Sequence, residues 1–255
     1  MNYKNYNYQM NPIRITAISY YNTLPFIYGL THSGLLAGYD LNLEVPSQSA
    51  QKIISNEAEI GLIPVGALPG ISNYHVVSNL CIGADKDVKS VLLLANVDLK
   101  GIKTIYLDTD SLTSVNLVRI LAEKHWKITP QWKSLSELKG KLPQDDGMVL
   151  IGDKTFGLSG QYPFCYDLAG EWIKFTGLPF VFAVWISRQP LPEEFEKSFQ
   201  SALAWGVEHR EESILMANKP HISEKELISY LKNNISYNLD ERKKKGMKLF
   251  LKFLG

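Results

Sequence analysis

The sequence predicts an α/β protein folded as two lobes, and three observations carry that expectation. Short apolar strands alternate with helix-like segments along most of the chain. With 255 residues, 45% hydrophobic and 21% charged, the chain can bury two modest cores. No fixed-period repeat and no low-complexity linker divides it, so a second lobe is expected as an insertion reached by two crossings, near residues 95 and 183. Residues 1–95 with 184–255 then form one lobe and 96–183 the other, with Ser90–Ala95 and Val181–Ser187 as hinge strands.

The elements follow in order. IRITAIS at 13–19 places Ile13, Ile15 and Ala17 on one side of an extended chain, as a strand does. Asn22 and Thr23 are capping types, Pro25 suits a first helical turn, and Phe26, Ile27 and Leu30 form a short apolar face. LNLEV at 41–45 is the next strand, with Ser47 and Ser49 as cap candidates for a helix through Ile53 and Ile54. Ile60–Ile63 read as a buried strand; Pro64 opens a short helix that Gly70 can close. SVLLLA, beginning at Ser90, and TIYLD, ending at Asp108, are strands joined by a turn at Gly101.

A helix from Ser111 repeats Val115, Val118, Leu121 and Ala122 at helical spacing, with Thr113 and Ser114 in its first turn. MVLIGD at 148–153 and VFAVWIS at 181–187 are buried strands flanking a Gly- and aromatic-rich return segment. The tail is helical, marked by Phe195, Phe199, Leu203 and Gly206, then by Leu227, Ile228 and Leu231. The lysine run 243–245, with Lys248 and Lys252, reads as a solvated helix face. Alternation at this spacing favours a mainly parallel sheet, with ligands gathering where strand ends meet helix starts.

Composition excludes several functions. Lys plus Arg total 27 against 26 Asp plus Glu, so no global field points to nucleic acid or an anionic membrane as a partner. Cys81 and Cys165 are far apart and outside any CxxC spacing, as in a reduced cytosolic chain without a disulfide. No window reaches the roughly 18 apolar residues needed to span a bilayer. The Asn- and Tyr-rich leader has no apolar stretch of the kind a secretory signal requires, so a cytoplasmic location is expected. The histidines at 32, 75, 125, 209 and 221 show no metal-ligand spacing, and no metal is expected. P-loop, GxGxxG and Gly-x-Ser-x-Gly motifs are all missing, so neither a bound nucleotide nor a serine nucleophile is indicated.

What remains is a set of uncharged polar groups at strand-to-helix junctions: Ser19 and Asn22, Ser47 and Ser49, Thr113 and Ser114. Amides at a helix start bind carboxylates or phosphates, because unsatisfied N–H groups and the positive dipole end both favour an anion. Helix capping alone also accounts for each of them. Ser90 opens an apolar strand where a hydroxyl has little packing value, which suggests a pocket-facing role. Asp153, closing a strand, can serve as a general base toward substrate or hold backbone amides, and Asp108 is similar. Arg14, Arg119 and Arg188 can each meet a carboxylate, although single arginines are usually surface residues.

The order of several motifs resembles that of a known family. SYYNTLPFIYGL at 19–30, EIGLIPVGALP at 59–69, SVLLLA at 90–95, DTDSLTSVNL at 108–117, LIGD at 150–153 and GLPFVFAVW at 177–185 together look like the chorismate dehydratases of the futalosine route to menaquinone. The first and last motifs are the specific ones. The resemblance implies a periplasmic-binding-protein-like (type II) fold, catalysis without a metal or redox cofactor, chorismate as the small-molecule substrate and a cytoplasmic site of action.

The related 1,4-dihydroxy-6-naphthoate synthases usually open with a Ser-Pro-Cys-Pro-Asn type motif instead. Residue matching implies Asn22 and Ser90 as catalytic or substrate-orienting and Thr113 and Ser114 as carboxylate binders, with Ser19 and Asp153 further candidates on the substrate. A non-catalytic receptor for a small carboxylate, an effector-sensing domain and the naphthoate synthase are the competing readings.

Overall fold

The structure is a computed structural model describing residues 12–158, 160–218, 220 and 222–255. The leader's residues 1–11 and His221 lie outside the described residues. In chain order the strands are β1 (Ile13–Ile18), β2 (Tyr39–Glu44), β3 (Ile60–Pro64), β4 (His75–Ala84), β5 (Val91–Ala95), β6 (Thr104–Leu107), β7 (Gln131–Ser134), β8 (Asp146–Ile151), β9 (Phe164–Asp167), β10 (Phe180–Ser187) and β11 (Ser236–Asn238). The helices are α1 (Leu24–His32), α2 (Pro46–Ile54), α3 (Leu112–Ile120), α4 (Leu168–Thr176), α5 (Glu193–Glu208), α6 (Glu224–Asn233) and α7 (Glu241–Leu254).

Two sheets form, ordered β11-β4-β10-β3-β1-β2 and β7-β6-β8-β5-β9. The chain builds most of the first sheet, crosses through residues 85–90, builds the second and returns through α4 to β10. This α/β, two-sheet arrangement agrees with the two-lobed fold class. The crossings differ from those expected near 95 and 183. Val91–Ala95 pairs antiparallel with both β8 and β9, so SVLLLA is an interior strand of the second sheet. Likewise all of β10 lies in the first sheet, between β3 and β4.

The sheets are also mixed rather than mainly parallel. β1 runs parallel to β2 and β3, and β6 to β7 and β8, but the strands that follow each crossing, β5 and β10, run against their neighbours. Strands β4 and β7 were not legible as apolar runs. Ser78 and Asn79 interrupt the first, and the second reads QWKS with two exposed residues.

Several local expectations change for physical reasons. Asn22 sits in a 3₁₀ turn, Tyr21–Thr23, and caps no helix. Thr23 is the α1 N-cap position, but its hydroxyl donates back to the carbonyls of Ile18 and Tyr20, which folds the 19–23 loop tightly over the end of β1. Ser47 and Ser49 lie inside α2, and the Ser49 hydroxyl donates to the Leu62 carbonyl at 3.0 Å, tying helix to strand. Ser111 is the true cap of α3, its oxygen accepting from the Ser114 N–H at 3.4 Å. The lysine run is not wholly solvated: Lys243 is 1% exposed and its ammonium meets Asp85 at 2.9 Å and Asp240 at 3.4 Å. A buried ammonium without such partners would carry a large desolvation penalty.

The alternation of β5 explains why SVLLLA is apolar throughout. Leu93 and Ala95 join the main core, whereas Leu92 and Leu94 pack with Tyr106, Met148 and Leu150 in a separate cluster on the other face. Both faces are covered, as in a buried strand.

Helices α1 and α5 touch backbone to backbone: a Cβ at Gly206 would lie 1.9 Å from the Pro25 carbonyl oxygen. Gly206→Ala is therefore expected to destabilise by about 1–3 kcal/mol through overpacking, lowering Tm by roughly 2–10 °C. A thermal melt checks this. Since α1 directly follows the 19–23 loop, this contact also anchors the candidate site.

Candidate functional site between the two sheets

The two sheets are clasped together by short polar contacts. The Gly66 N–H, just after β3, donates to the Thr113 Oγ1 at 2.9 Å, and that hydroxyl donates to the Phe182 carbonyl of β10 at 3.2 Å. The Ser47 N–H donates to the Asp110 carbonyl at 3.1 Å. The Tyr21 N–H donates to the Asp153 Oδ1 at 3.0 Å. Each bond joins an element of the first sheet to a loop or helix start of the second.

Between these clasps lies a cavity of about 40 Å³. Its walls include Tyr20 and Asn22 from the loop after β1, Ser90 at the head of β5, Ser111 and Ser114 at the start of α3, and Gly152 after β8. Ile18, Pro46, Pro64, Ile82, Val91, Ile151, Phe182 and Ala183 complete them. Among the described residues no charged one is part of these walls. Any anion held here must rely on amides, hydroxyls and the positive end of α3. A site that holds a small organic molecule usually measures about 300 Å³ or more, so the gap between the sheets is closed in this structure and would have to widen to accommodate one.

Of the six expected site residues, Asn22, Ser90 and Ser114 converge on the cavity. Ser90 is 2% exposed, and the Tyr230 phenol of α6 donates to its Oγ at 2.8 Å. Because Ser90 accepts that bond, its own hydrogen is available to a ligand. The Asn22 side chain also hydrogen-bonds the Tyr230 phenol, and the Asn22 carbonyl accepts from the Tyr237 hydroxyl at 3.0 Å. Burial, before any other cause, holds the Tyr230 phenol above its ordinary pKa, so it stays a donor.

The Ser114 hydroxyl donates to Ser111 Oγ at 3.3 Å. Ser19, Thr113 and Asp153 line no part of the cavity. Ser19 is exposed and pairs by its N–H with the Glu44 carbonyl, while Thr113 and Asp153 serve in the clasps. Asp108 is buried and pairs with Lys154 at 2.7 Å. Arg14 grips Glu59, Arg188 reaches the Ile54 carbonyl and Asn56, and Arg119 lies over the Trp132 ring, so none of the three faces the cavity.

Sequence reasoning missed Tyr20, Ser111, Gly152 and Tyr230. Gly152 carries a signal in hindsight. Its φ is +64°, and a Cβ there would come within 3.0 Å of the Tyr20 ring, so LIGD requires a glycine where the phenol lies across it. Tyr230 sits in an ordinary amphipathic helix and had no such mark. Tyr230 also borders a wider groove of about 880 Å³, lined by side chains of both signs such as Asp87, Lys89, Glu171, Lys174 and Lys225. None of Asn22, Ser90 and Ser114 reaches that groove. The smaller cavity is the better candidate, because there uncharged polar groups from both sheets converge.

The two-sheet α/β arrangement is of periplasmic-binding-protein-like architecture. The fold matches a solved protein from Archaeoglobus fulgidus at TM-score 0.74 and 16% identity, over 96% of this chain and 97% of that one. It also matches the Candida albicans CA3427 gene product, described as having the generic periplasmic binding protein fold, at TM-score 0.65 and 16% identity, over 96% and 95%. The model of the menaquinone biosynthesis family matches residues 13–255, and the chain belongs to that family. It is 27% identical to a chorismate dehydratase of Thermus thermophilus, over 96% of both chains.

Proposed function

We propose that this chain is a chorismate dehydratase, a hydro-lyase that converts chorismate to 3-[(1-carboxyvinyl)oxy]benzoate and water on the futalosine route to menaquinone. It acts in the cytoplasm on a small molecule, without nucleic acid or membrane as partner. The observation that carries the reading is the closed cavity with Asn22, Ser90 and Ser114 on its walls and no charged side chain. The family membership and the Thermus relative support the choice of reaction.

Chorismate is a dianion with a ring hydroxyl. Dehydration removes the proton from the ring carbon bearing the enolpyruvyl ether and expels the hydroxyl from its neighbour, leaving an aromatic ring. Aromatisation makes the reaction downhill, so positioning and electrostatic stabilisation supply much of what the enzyme must add. Among the described residues the lining offers no carboxylate or imidazole as a base. Proton removal then falls to the substrate's own side-chain carboxylate, held over the ring by Asn22 and Ser90. The start of α3, with Ser111 and Ser114, takes the ring carboxylate, favoured by the helix dipole.

Thr113 and Asp153 contribute by holding the sheets together around the substrate. The lobe boundaries in this reading fall at residues 85–90 and 168–179, where the chain passes between sheets.

Incubating the purified protein with chorismate and following products by chromatography tests the proposal. Stoichiometric appearance of 3-[(1-carboxyvinyl)oxy]benzoate is expected. Tight binding of chorismate without conversion would favour a receptor for small carboxylates, the second reading, which the clasping architecture alone supports equally well.

A further inference from the structure

The Tyr20 phenol is the one cavity group whose polar atom is buried and has no partner among the described residues. Native interiors seldom leave such a group unsatisfied, and an orphan of this kind points to a ligand or water that completes it. The geometry explains where a ligand would meet it. Tyr20 leaves the first sheet and lays the hydroxyl end of its ring across Gly152 of the second, so the phenol meets the cavity from both lobes at once. No described residue bonds this hydroxyl, and the neighbouring loop bonds run through Thr23 and the Tyr20 backbone.

Charge decides which part of a dianion belongs there. Burial first, and then the fields of Asp108, Asp110 and Asp153, keep the Tyr20 phenol protonated well above its ordinary range. Lys154 pairs with both Asp108 and Asp110, so this wall presents a neutral hydrogen-bond donor rather than a net charge, and a neutral hydroxyl suits it. The substrate carboxylates are better placed toward the start of α3 and toward Asn22 and Ser90.

We propose that Tyr20 donates its hydrogen bond to the ring hydroxyl of the substrate and protonates it as it departs. The inference rests on the dehydratase reading. In the step, the ring proton passes to the substrate's side-chain carboxylate and the C–H electron pair becomes the new ring double bond. The C–O bond breaks, its electron pair leaves on oxygen, and the Tyr20 proton completes a water molecule. The tyrosinate regains a proton from the carboxylic acid through that water, so substrate and products balance and the enzyme returns to its starting state. Hydroxide is more basic than the phenolate, so the proton moves to the departing oxygen only as the C–O bond breaks.

Tyr20→Phe removes only the oxygen. Deleting a buried hydroxyl without a partner leaves stability equal or slightly higher, so an unchanged or raised Tm is expected for the ligand-free variant. Turnover of chorismate is expected to fall about 10²- to 10⁴-fold in kcat, the usual reach of a general acid. The product carries both carboxylates and lacks the ring hydroxyl. Its Kd by calorimetry should therefore change by less than about threefold in the variant, whereas chorismate should bind more weakly.

Normal kcat in Tyr20→Phe, with the wild type active on chorismate, overturns the inference. So does an equal loss of affinity for substrate and product, which would place Tyr20 on a carboxylate. A lowered Tm with activity lost only in proportion to folded protein would show a structural role and overturn it too. If the wild type itself fails to convert chorismate, it is the dehydratase reading that falls.

Discussion

Ser90→Ala is expected to lower kcat for chorismate by about 10²- to 10³-fold while KM changes much less. Ser90 sits at the head of β5, 2% exposed, with Tyr230 donating to its oxygen at 2.8 Å. With that bond accepted, the serine's own hydrogen is left to donate in the cavity that Ser90 lines. A donor pre-oriented toward developing charge in a dry site is worth about 2.7–4 kcal/mol in the barrier. Alanine also removes one of the two side-chain partners of the buried Tyr230 phenol, so a stability loss of about 1–3 kcal/mol accompanies the kinetic one. The double variant Ser90→Ala with Tyr230→Phe separates the two effects. It removes the phenol that has lost its Ser90 acceptor, so Tm should recover toward wild type while kcat stays low. Recovery of both would mean that Ser90 matters only through packing.

Asp153 gives the second large effect, and here two substitutions diverge. Its carboxylate accepts the Tyr21 N–H across the gap between the sheets and lines no part of the cavity. Asp153→Ala leaves that amide without its acceptor in the closed form, at about 1–3 kcal/mol, and kcat/KM is expected to drop roughly 5- to 150-fold. Asp153→Asn keeps an acceptor oxygen at nearly the same place and should retain turnover within about threefold. A protein base would behave differently: loss of its ionisable group removes about 10²- to 10⁴-fold whether the replacement is Ala or Asn. Steady-state kinetics of the two variants, with circular dichroism to verify folding, therefore distinguishes a clasp from a base.

Both expectations draw on positions that the sequence marked in part. Ser90 was legible because a hydroxyl heading an unbroken apolar run has no packing purpose. Asn22 was legible through the SYYNTLPF motif, although its capping role was not borne out: the loop closes through Thr23 instead. Ser114 was marked by its place in a helix start, and it lines the cavity. The α/β class followed from alternating strands and helices, because each sheet is covered and its strands read as apolar runs.

What the sequence hid was tertiary. The antiparallel pairing of β5 with two partners moves the first crossing from residue 95 to 85–90, and no local pattern reports which sheet a buried strand joins. Tyr230 and Ser90 are 140 residues apart and meet only because α6 folds back over the crossing. Lys243 looked solvated because two acidic partners, one on another element, are invisible along the helix itself.

The central claim is that uncharged donors from both lobes grip a dianion between Asn22, Ser90 and the start of α3. A crystal structure with 3-[(1-carboxyvinyl)oxy]benzoate tests it directly. Density is expected in the gap between the sheets, with the side-chain carboxylate within hydrogen-bond reach of Ser90 Oγ and Asn22 and the ring carboxylate at Ser111 and Ser114. Product seated instead in the wider groove beside Lys89, Lys174 and Lys225, with the central cavity unfilled, would contradict it.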